Sequence, residues 1–198
     1  MKSEKLMDAK GINEAVEKIA DEIKKCPVGK TNFVLIGLVT RGAALAERIA
    51  KTLSKKAGKT DAPINNGKVR RGGRSRAAPV GSLDITFYRD DVGSIARQPL
   101  AKQTRIPVDI NGRNVILVDD VLFTGRSIRA ALDELMDFGR PASVRLAALI
   151  DRGHRELPIQ ADFTGVKIET GAGDDIKLNL KEIDGKDEVV LVRKGASK

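Results

Sequence analysis

The stretch VILVDDVLFTGRS, Val115 to Ser127, decides how this chain reads. Four aliphatic residues in a row predict a buried strand, Asp119 and Asp120 stand at its carboxyl edge, and Thr124, Gly125, Arg126 and Ser127 open the next helix. In an open α/β sheet that edge is where ligands bind. Free backbone N–H groups at a helix start favour a phosphate, and carboxylates a turn away suit sugar hydroxyls. A hydroxyl residue before a helix is also an ordinary capping solution. Two adjacent carboxylates, however, repel each other, and a purely structural loop has little reason to keep them unless cations or hydroxyls offset the charge. The ligand expected is a phosphorylated ribose.

Working outward, Ile12, Ala15, Val16, Ile19, Ala20 and Ile23 fall at helical spacing, so Gly11 to Lys25 predicts an amphipathic helix ended by Pro27. Phe33 to Ile36 predicts a short strand, followed by the turn GLVTRG (Gly37 to Gly42) and a helix from about Ala43 to Ser54. After the signature, Ile128, Ala131, Leu132, Leu135 and Met136 mark a helix stopped by Gly139 and Pro141, and Val144 to Ile150 is the next strand. Strands alternating with helices argue for a parallel sheet with right-handed crossovers. Leu83, Ile85 and Phe87 alternate as a half-covered strand, and Arg89 to Asn114 reads as a long loop that closes over a site. Ala161 to Ile168, Ile176 to Leu180 and Val189 to Val192 are weaker strands forming a cap or an edge.

At 198 residues the chain is expected to form one domain, residues 1–198. No apolar run approaches membrane-spanning length, and the opening MKSEKLMDAK is too polar for a secretory signal, so no membrane partner is expected. One cysteine, Cys26, offers neither an internal disulfide nor a metal-spaced pair, and cytoplasm is the expected location. The net charge of +9 is concentrated. Between Lys55 and Arg76 there are eight basic residues and one acid, Asp61, interspersed with Gly58, Gly67, Gly72, Gly73 and Pro63, so residues 55–80 are expected to be a flexible basic insert. Such a segment attracts phosphate without specifying sequence.

The signature resembles the phosphoribosyl pyrophosphate (PRPP) motif of the type I phosphoribosyltransferases, and the wording VDDVLFTGRS is most similar to the pyrimidine operon attenuator family, whose members double as uracil phosphoribosyltransferases. Purine-salvage and orotate members usually carry other residues where Phe123 and Arg126 stand. GLVTRG at Gly37 to Gly42, SLDITFYRDD at Ser82 to Asp91 and DRGHRELPIQADF at Asp151 to Phe163 agree with it. The resemblance implies the type I phosphoribosyltransferase fold, a mainly parallel α/β sheet flanked by helices with a small hood built from the chain termini. It implies that Thr40 and Arg41 hold the pyrophosphate of PRPP, and that Thr124, Gly125, Arg126 and Ser127 hold its 5′-phosphate. Asp119 and Asp120 would orient the ribose hydroxyls, Arg89 would reach the leaving group, and Arg152 would lie by the nucleobase.

The expected catalytic set is Asp119, Asp120 and Arg41. Cleaving the bond from ribose C1 to pyrophosphate builds positive charge on the sugar and negative charge on the leaving group, so charge stabilisation and exclusion of water matter most. Mg2+ bound with PRPP is the expected cofactor, with no dedicated protein metal site. His154, the single histidine, is ordinarily a solvated loop residue.

The resemblance further implies uracil and UMP or UTP as ligands, a homodimer, and binding to the leader of pyr mRNA in a pyrimidine-responsive attenuation. Against that last role, Glu14, Glu17 and Asp21 stand on the first helix where attenuator proteins typically show basic or neutral polar residues, and the basic insert is longer than the usual connection. A phosphoribosyltransferase without RNA regulation, and a purine enzyme, are the alternatives.

Overall fold

The signature strand lies at the centre of the sheet. In the computed structural model, which describes residues 2–56, 78–86 and 103–193, β4 (Asn114–Leu122) pairs in parallel with β2 (Phe33–Leu38) on one side and β5 (Ser143–Asp151) on the other. β3 (Val80–Leu83) and β6 (Phe163–Lys167) complete a five-stranded sheet in the order β3-β2-β4-β5-β6, parallel throughout. Val115 to Val118 are fully buried because both faces of the sheet are covered, which is why the strand is continuously apolar rather than alternating.

Alternation decides which face each residue serves. Val115 and Leu117 pack with Ile128, Ala131 and Leu135 of α3 (Arg126–Asp137). Ile116 and Val118 pack with α1 (Ala9–Lys25) and α2 (Arg41–Lys56), through Ile19, Ile23, Leu45 and Ile49. The six apolar residues expected to face inward on the first helix are all buried. Asp8 caps that helix by accepting from Gly11 N–H at 2.9 Å. Gly139, at φ 145°, follows the end of α3, as the helix-stop reading requires.

A second sheet joins the two ends of the described chain. β1 (Lys2–Asp8), β8 (Glu188–Arg193) and β7 (Asp175–Asn179) pair antiparallel in the order β1-β8-β7, with a one-turn helix α4 (Lys181–Asp184) between the last two. Ile176, Leu178, Val189 and Leu191 continue the core that α1 and α2 share with the main sheet. This is the expected hood.

The differences from the sequence reading are local. β4 does not stop at the carboxylates but runs through them, because pairing with β5 continues at Val121 and Leu122. The polar opening segment, which carries no apolar periodicity, is a strand held by hydrogen bonds to β8. Of the three weak late runs, the first joins the parallel sheet as its edge and the other two build the hood. Most of the basic insert (57–77) and the segment 87–102, which includes Arg89, lie outside the described residues. The chain returns at Arg105, which exchanges two backbone hydrogen bonds with Ser82 at 2.8 and 2.9 Å. Among the described residues no helix is long and apolar enough to cross a membrane.

Candidate active site

Chain order reverses between β2 and β4: from β2 the chain passes outward to β3, whereas from β4 it moves the other way to β5. A crevice at the carboxyl ends of such a strand pair is the expected ligand site of an open parallel sheet. Two loops leave the sheet on that side.

The first loop, Val39 and Thr40 leading into the opening residues of α2, is pressed against β4 at Val118, level with the end of β2. A Cβ on Gly42 would stand 2.4 Å from the Val118 carbonyl oxygen, and one on Gly37 would stand 2.2 Å from the Gly42 carbonyl oxygen. Only residues without side chains let β2, this loop and β4 approach so closely. The Val39–Thr40 peptide is cis. The same Gly42 Cβ would stand 3.4 Å from the Asp119 Cα, so the segment carrying Thr40 and Arg41 joins α2 beside the start of the acidic pair. Arg41 Nη2 donates to Asp184 Oδ1 of α4 at 2.9 Å.

The second loop, Phe123 to Ser127, leaves β4 two residues beyond Asp120. Asp119 is buried and Asp120 half-buried. Asp119 Oδ1 accepts from the Asp120 N–H at 2.9 Å, and Asp120 Oδ1 accepts from the Val121 N–H at 3.0 Å. These bonds fix one oxygen of each carboxylate along the strand. Gly125 occupies the N-cap of α3 at φ 93°, a left-handed conformation that favours glycine, and has no side chain to cap the helix; Thr124 Oγ1 accepts from the Arg126 N–H at a long 3.4 Å. A helix start with a glycine N-cap and only this weak side-chain contact suits an anion.

Sequence reasoning missed the residue that fixes this second loop. Arg155 donates through Nη1 to the carbonyls of Leu122, Phe123 and Gly153 at 3.3, 2.8 and 3.0 Å, and through Nε to Ile159 at 2.9 Å. Its Nη2 pairs with Asp151 at 2.7 Å, four residues back and the final residue of β5. The Thr124 carbonyl accepts from the N–H groups of Glu156 and Leu157. A Cβ on Gly125 would touch Leu157 and Ile159. Segment 151–159 is thus a brace under the Phe123–Ser127 loop. The only sequence signal was an Arg four residues after a strand-terminal Asp in an irregular segment.

Arg126 pairs with Glu156 at 2.6 Å with both groups half-exposed. Arg152 is buried, with Nη2 donating to the carbonyls of Asp174 (2.7 Å) and Gly171 (3.2 Å) and Nε to Thr170 Oγ1 (3.2 Å). Its guanidinium lies 4.0 Å from the centroid of the Phe123 ring, a cation–π contact. Burial holds the Arg152 pKa below its ordinary value, while Asp175 and Asp174 act the other way. His154 meets the Phe123 ring edge-on at 5.9 Å and bonds the Thr170 carbonyl at 2.7 Å.

Magnesium carried with a phosphorylated substrate fits this donor set. Among the described residues no cluster of three or more His, Cys, Asp or Glu could hold a metal alone. Two adjacent carboxylates leave the remaining oxygens to phosphate, ribose and water, the usual manner of Mg2+ at phosphate sites.

Residues 2–181 match the phosphoribosyl transferase domain family. The bifunctional protein PyrR of Pelotomaculum thermopropionicum is 43% identical over 187 residues, covering 94% of each chain. That of Thermus thermophilus is 45% identical over 192 residues, covering 96% of this chain and 97% of the relative. Among solved structures, a hypoxanthine phosphoribosyltransferase of Trypanosoma cruzi superposes with a TM-score of 0.65 at 17% identity, over 96% of this chain and 91% of that one. A hypoxanthine-guanine phosphoribosyltransferase of Bacillus anthracis gives 0.65 at 15% identity, over 98% and 100%. Those two likenesses establish the type I phosphoribosyltransferase fold.

Proposed function

Since this chain belongs to the phosphoribosyl transferase domain family and to its bifunctional PyrR branch, we propose that it converts uracil and PRPP to UMP and pyrophosphate, and that it attenuates pyr operon transcription by binding the leader mRNA. The observation that carries the enzyme reading is the pair of loops at the adjacent carboxyl ends of β2 and β4, with Asp119 and Asp120 between them.

In this reading the 5′-phosphate accepts from the first turn of α3 and from Thr124 and Ser127, with Gly125 allowing close approach and Arg126 adding charge. Thr40 and Arg41 hold the pyrophosphate, and Arg89 is expected to reach the same group. Asp119 and Asp120 bind the ribose hydroxyls, and their charge lowers the cost of an oxocarbenium-like sugar as the C1–O bond breaks. Uracil N1 forms the new bond to C1, the electron pair of the broken bond leaves with pyrophosphate, and the N1 proton is released. Magnesium bound with PRPP supplies neutralisation of the pyrophosphate charge. Arg152 serves the nucleobase side by covering Phe123 and fixing the ring.

Residues 1–198 act as one transferase unit, as a cytoplasmic homodimer that responds to UMP or UTP, a reading supported by membership of the PyrR branch. For RNA, Glu14 and Glu17 are exposed on α1 and would repel phosphate, so the mRNA would bind elsewhere on the surface.

A panel of uracil, hypoxanthine, guanine, adenine and orotate with PRPP and magnesium tests the enzyme. UMP from uracil alone, abolished in Asp120→Asn, is expected. No UMP from the wild type, or a purine product instead, would refute it. Filter binding to the leader RNA with and without UMP tests the regulator. Affinity that ignores sequence and vanishes at moderate salt would reduce the binding to electrostatic background.

A further inference from the structure

The hood reaches α2 through two arginines on one helix face. Arg41 and Arg48 are seven residues apart, close to two full turns, and both meet hood carboxylates. Arg48 donates to Glu182 at 2.9 and 2.6 Å and to Asp187 at 3.1 and 2.7 Å. Arg41 makes one such bond, to Asp184 Oδ1, and its Nε is buried with no acceptor among the described residues.

The two contacts differ in grip. The Arg48 and Asp187 side chains are only 13% and 14% exposed, whereas those of Arg41 and Asp184 are 35% and 22% exposed. The other Asp184 oxygen, Oδ2, accepts from the Leu180 N–H at 2.9 Å. That carboxylate therefore keeps a partner when Arg41 leaves, and Arg48 keeps the hood docked meanwhile.

We propose that Asp184 is an internal competitor for the pyrophosphate site, occupying the Arg41 guanidinium in the free protein and yielding it to the pyrophosphate group of PRPP. This rests on the reading of Arg41 as a pyrophosphate ligand. A phosphate presents several charged oxygens and can take two donors of one guanidinium edge, so it can also satisfy the buried Nε that Asp184 leaves unbonded. The exchange is favourable, and the displaced carboxylate remains beside the departing product, where its charge repels pyrophosphate. The consequence is weaker holding of both PRPP and pyrophosphate than the arginine alone would give.

The test measures pyrophosphate binding by calorimetry, and PRPP KM with pyrophosphate product inhibition, on the full chain. Asp184→Asn leaves one carbonyl oxygen, which the Leu180 N–H takes, and turns an amide toward Arg41. Tighter pyrophosphate binding and a lower PRPP KM are expected, by about two- to five-fold, the range for a partly exposed ion pair. Glu182→Gln, which touches only the Arg48 contact, is expected to leave both unchanged and separates competition from loosening of the hood. Should Asn destabilise the α4 turn, Asp184→Ser keeps a short acceptor and carries the same expectation. Unchanged or weaker pyrophosphate binding in the Asp184 variants, with Arg41→Ala weakening it, would overturn the competitor role and make Asp184 a prop for Arg41. Unchanged binding in Arg41→Ala would overturn the Arg41 reading itself, and the proposal with it.

Discussion

Gly42→Ala separates the geometry of the site from the stability of the fold. The added Cβ would lie 2.4 Å from the Val118 carbonyl oxygen and 3.3 Å from its carbonyl carbon. The obstacle is the backbone of the central strand, which cannot swing aside as a side chain can. Reaching ordinary van der Waals contact requires the Val39–Gly42 loop to move by about 1 Å relative to β4. Two stability effects oppose each other. Overpacking costs roughly 1–3 kcal/mol, while Gly to Ala within a helix returns roughly 0.8–1 kcal/mol. The remainder, on the order of 0–2 kcal/mol, lowers Tm by at most about 8 °C for a chain of this size.

Catalysis has no such offset. A displacement of about 1 Å between the pyrophosphate loop and the ribose carboxylates is expected to lower kcat/KM for PRPP by about 100-fold. The assay pairs steady-state UMP formation with a thermal melt. Activity within about three-fold of wild type in a folded variant would show that the spacing of the two loops is not what the chemistry requires.

Three further outcomes follow from the same contacts. Arg155→Lys replaces a planar fork with a point charge that cannot reach four carbonyls and Asp151 together, so two or more acceptors under the Phe123–Ser127 loop lose their donor, at about 1–3 kcal/mol each; PRPP KM should rise more than ten-fold, and an unchanged KM contradicts the brace. Glu134 is buried on α3 with Oε1 accepting from Thr104 Oγ1, and burial raises its pKa above the ordinary carboxyl value. A carboxyl whose folded pKa is raised loses stability as pH climbs from its unfolded value through the folded one, so Glu134→Gln should melt higher than wild type at neutral pH, with the advantage vanishing below about pH 4. The Arg48 hydrogen bonds lower the pKa of Glu182; at Asp187 burial is the largest single influence and raises the pKa, but the Arg48 hydrogen bond, the Lys181 backbone N–H and the charges of both residues together hold it below the ordinary value. Both carboxylates therefore stabilise the docked hood above their unfolded pKa and lose that contribution as pH falls through the folded one. Lower amide protection factors in β7 and β8, taken relative to the intrinsic exchange rate at each pH, are expected below about pH 4, and Arg48→Ala should show them already at neutral pH.

The main sheet was legible because its signals are local and strong. The run at Val115 to Val118, the helical spacing of Ile12 to Ile23 and the Gly139–Pro141 stop each specify an element without reference to the rest of the chain. β1 was not legible, since Lys2 to Asp8 has mostly polar side chains and owes its conformation to β8, nearly the whole chain away. The extent of β4 was hidden for a related reason: its last residues are held by backbone pairing with β5, which two Asp side chains do not advertise. At the site, residue types fixed the candidate ligands of phosphate and ribose. Arg155 and Asp184 act through tertiary contacts to carbonyls and to a distant arginine, and no spacing rule encodes those.

The central claim is that one PRPP molecule spans the two loops, with its ribose over the carboxylates. A crystal structure with PRPP and magnesium tests it most directly. The 5′-phosphate is expected within hydrogen-bond distance of the N–H groups of residues 125–127, pyrophosphate oxygens on Arg41, and ribose hydroxyls on Asp119 or Asp120. PRPP bound away from either loop, or with its ribose out of reach of both carboxylates, would contradict it.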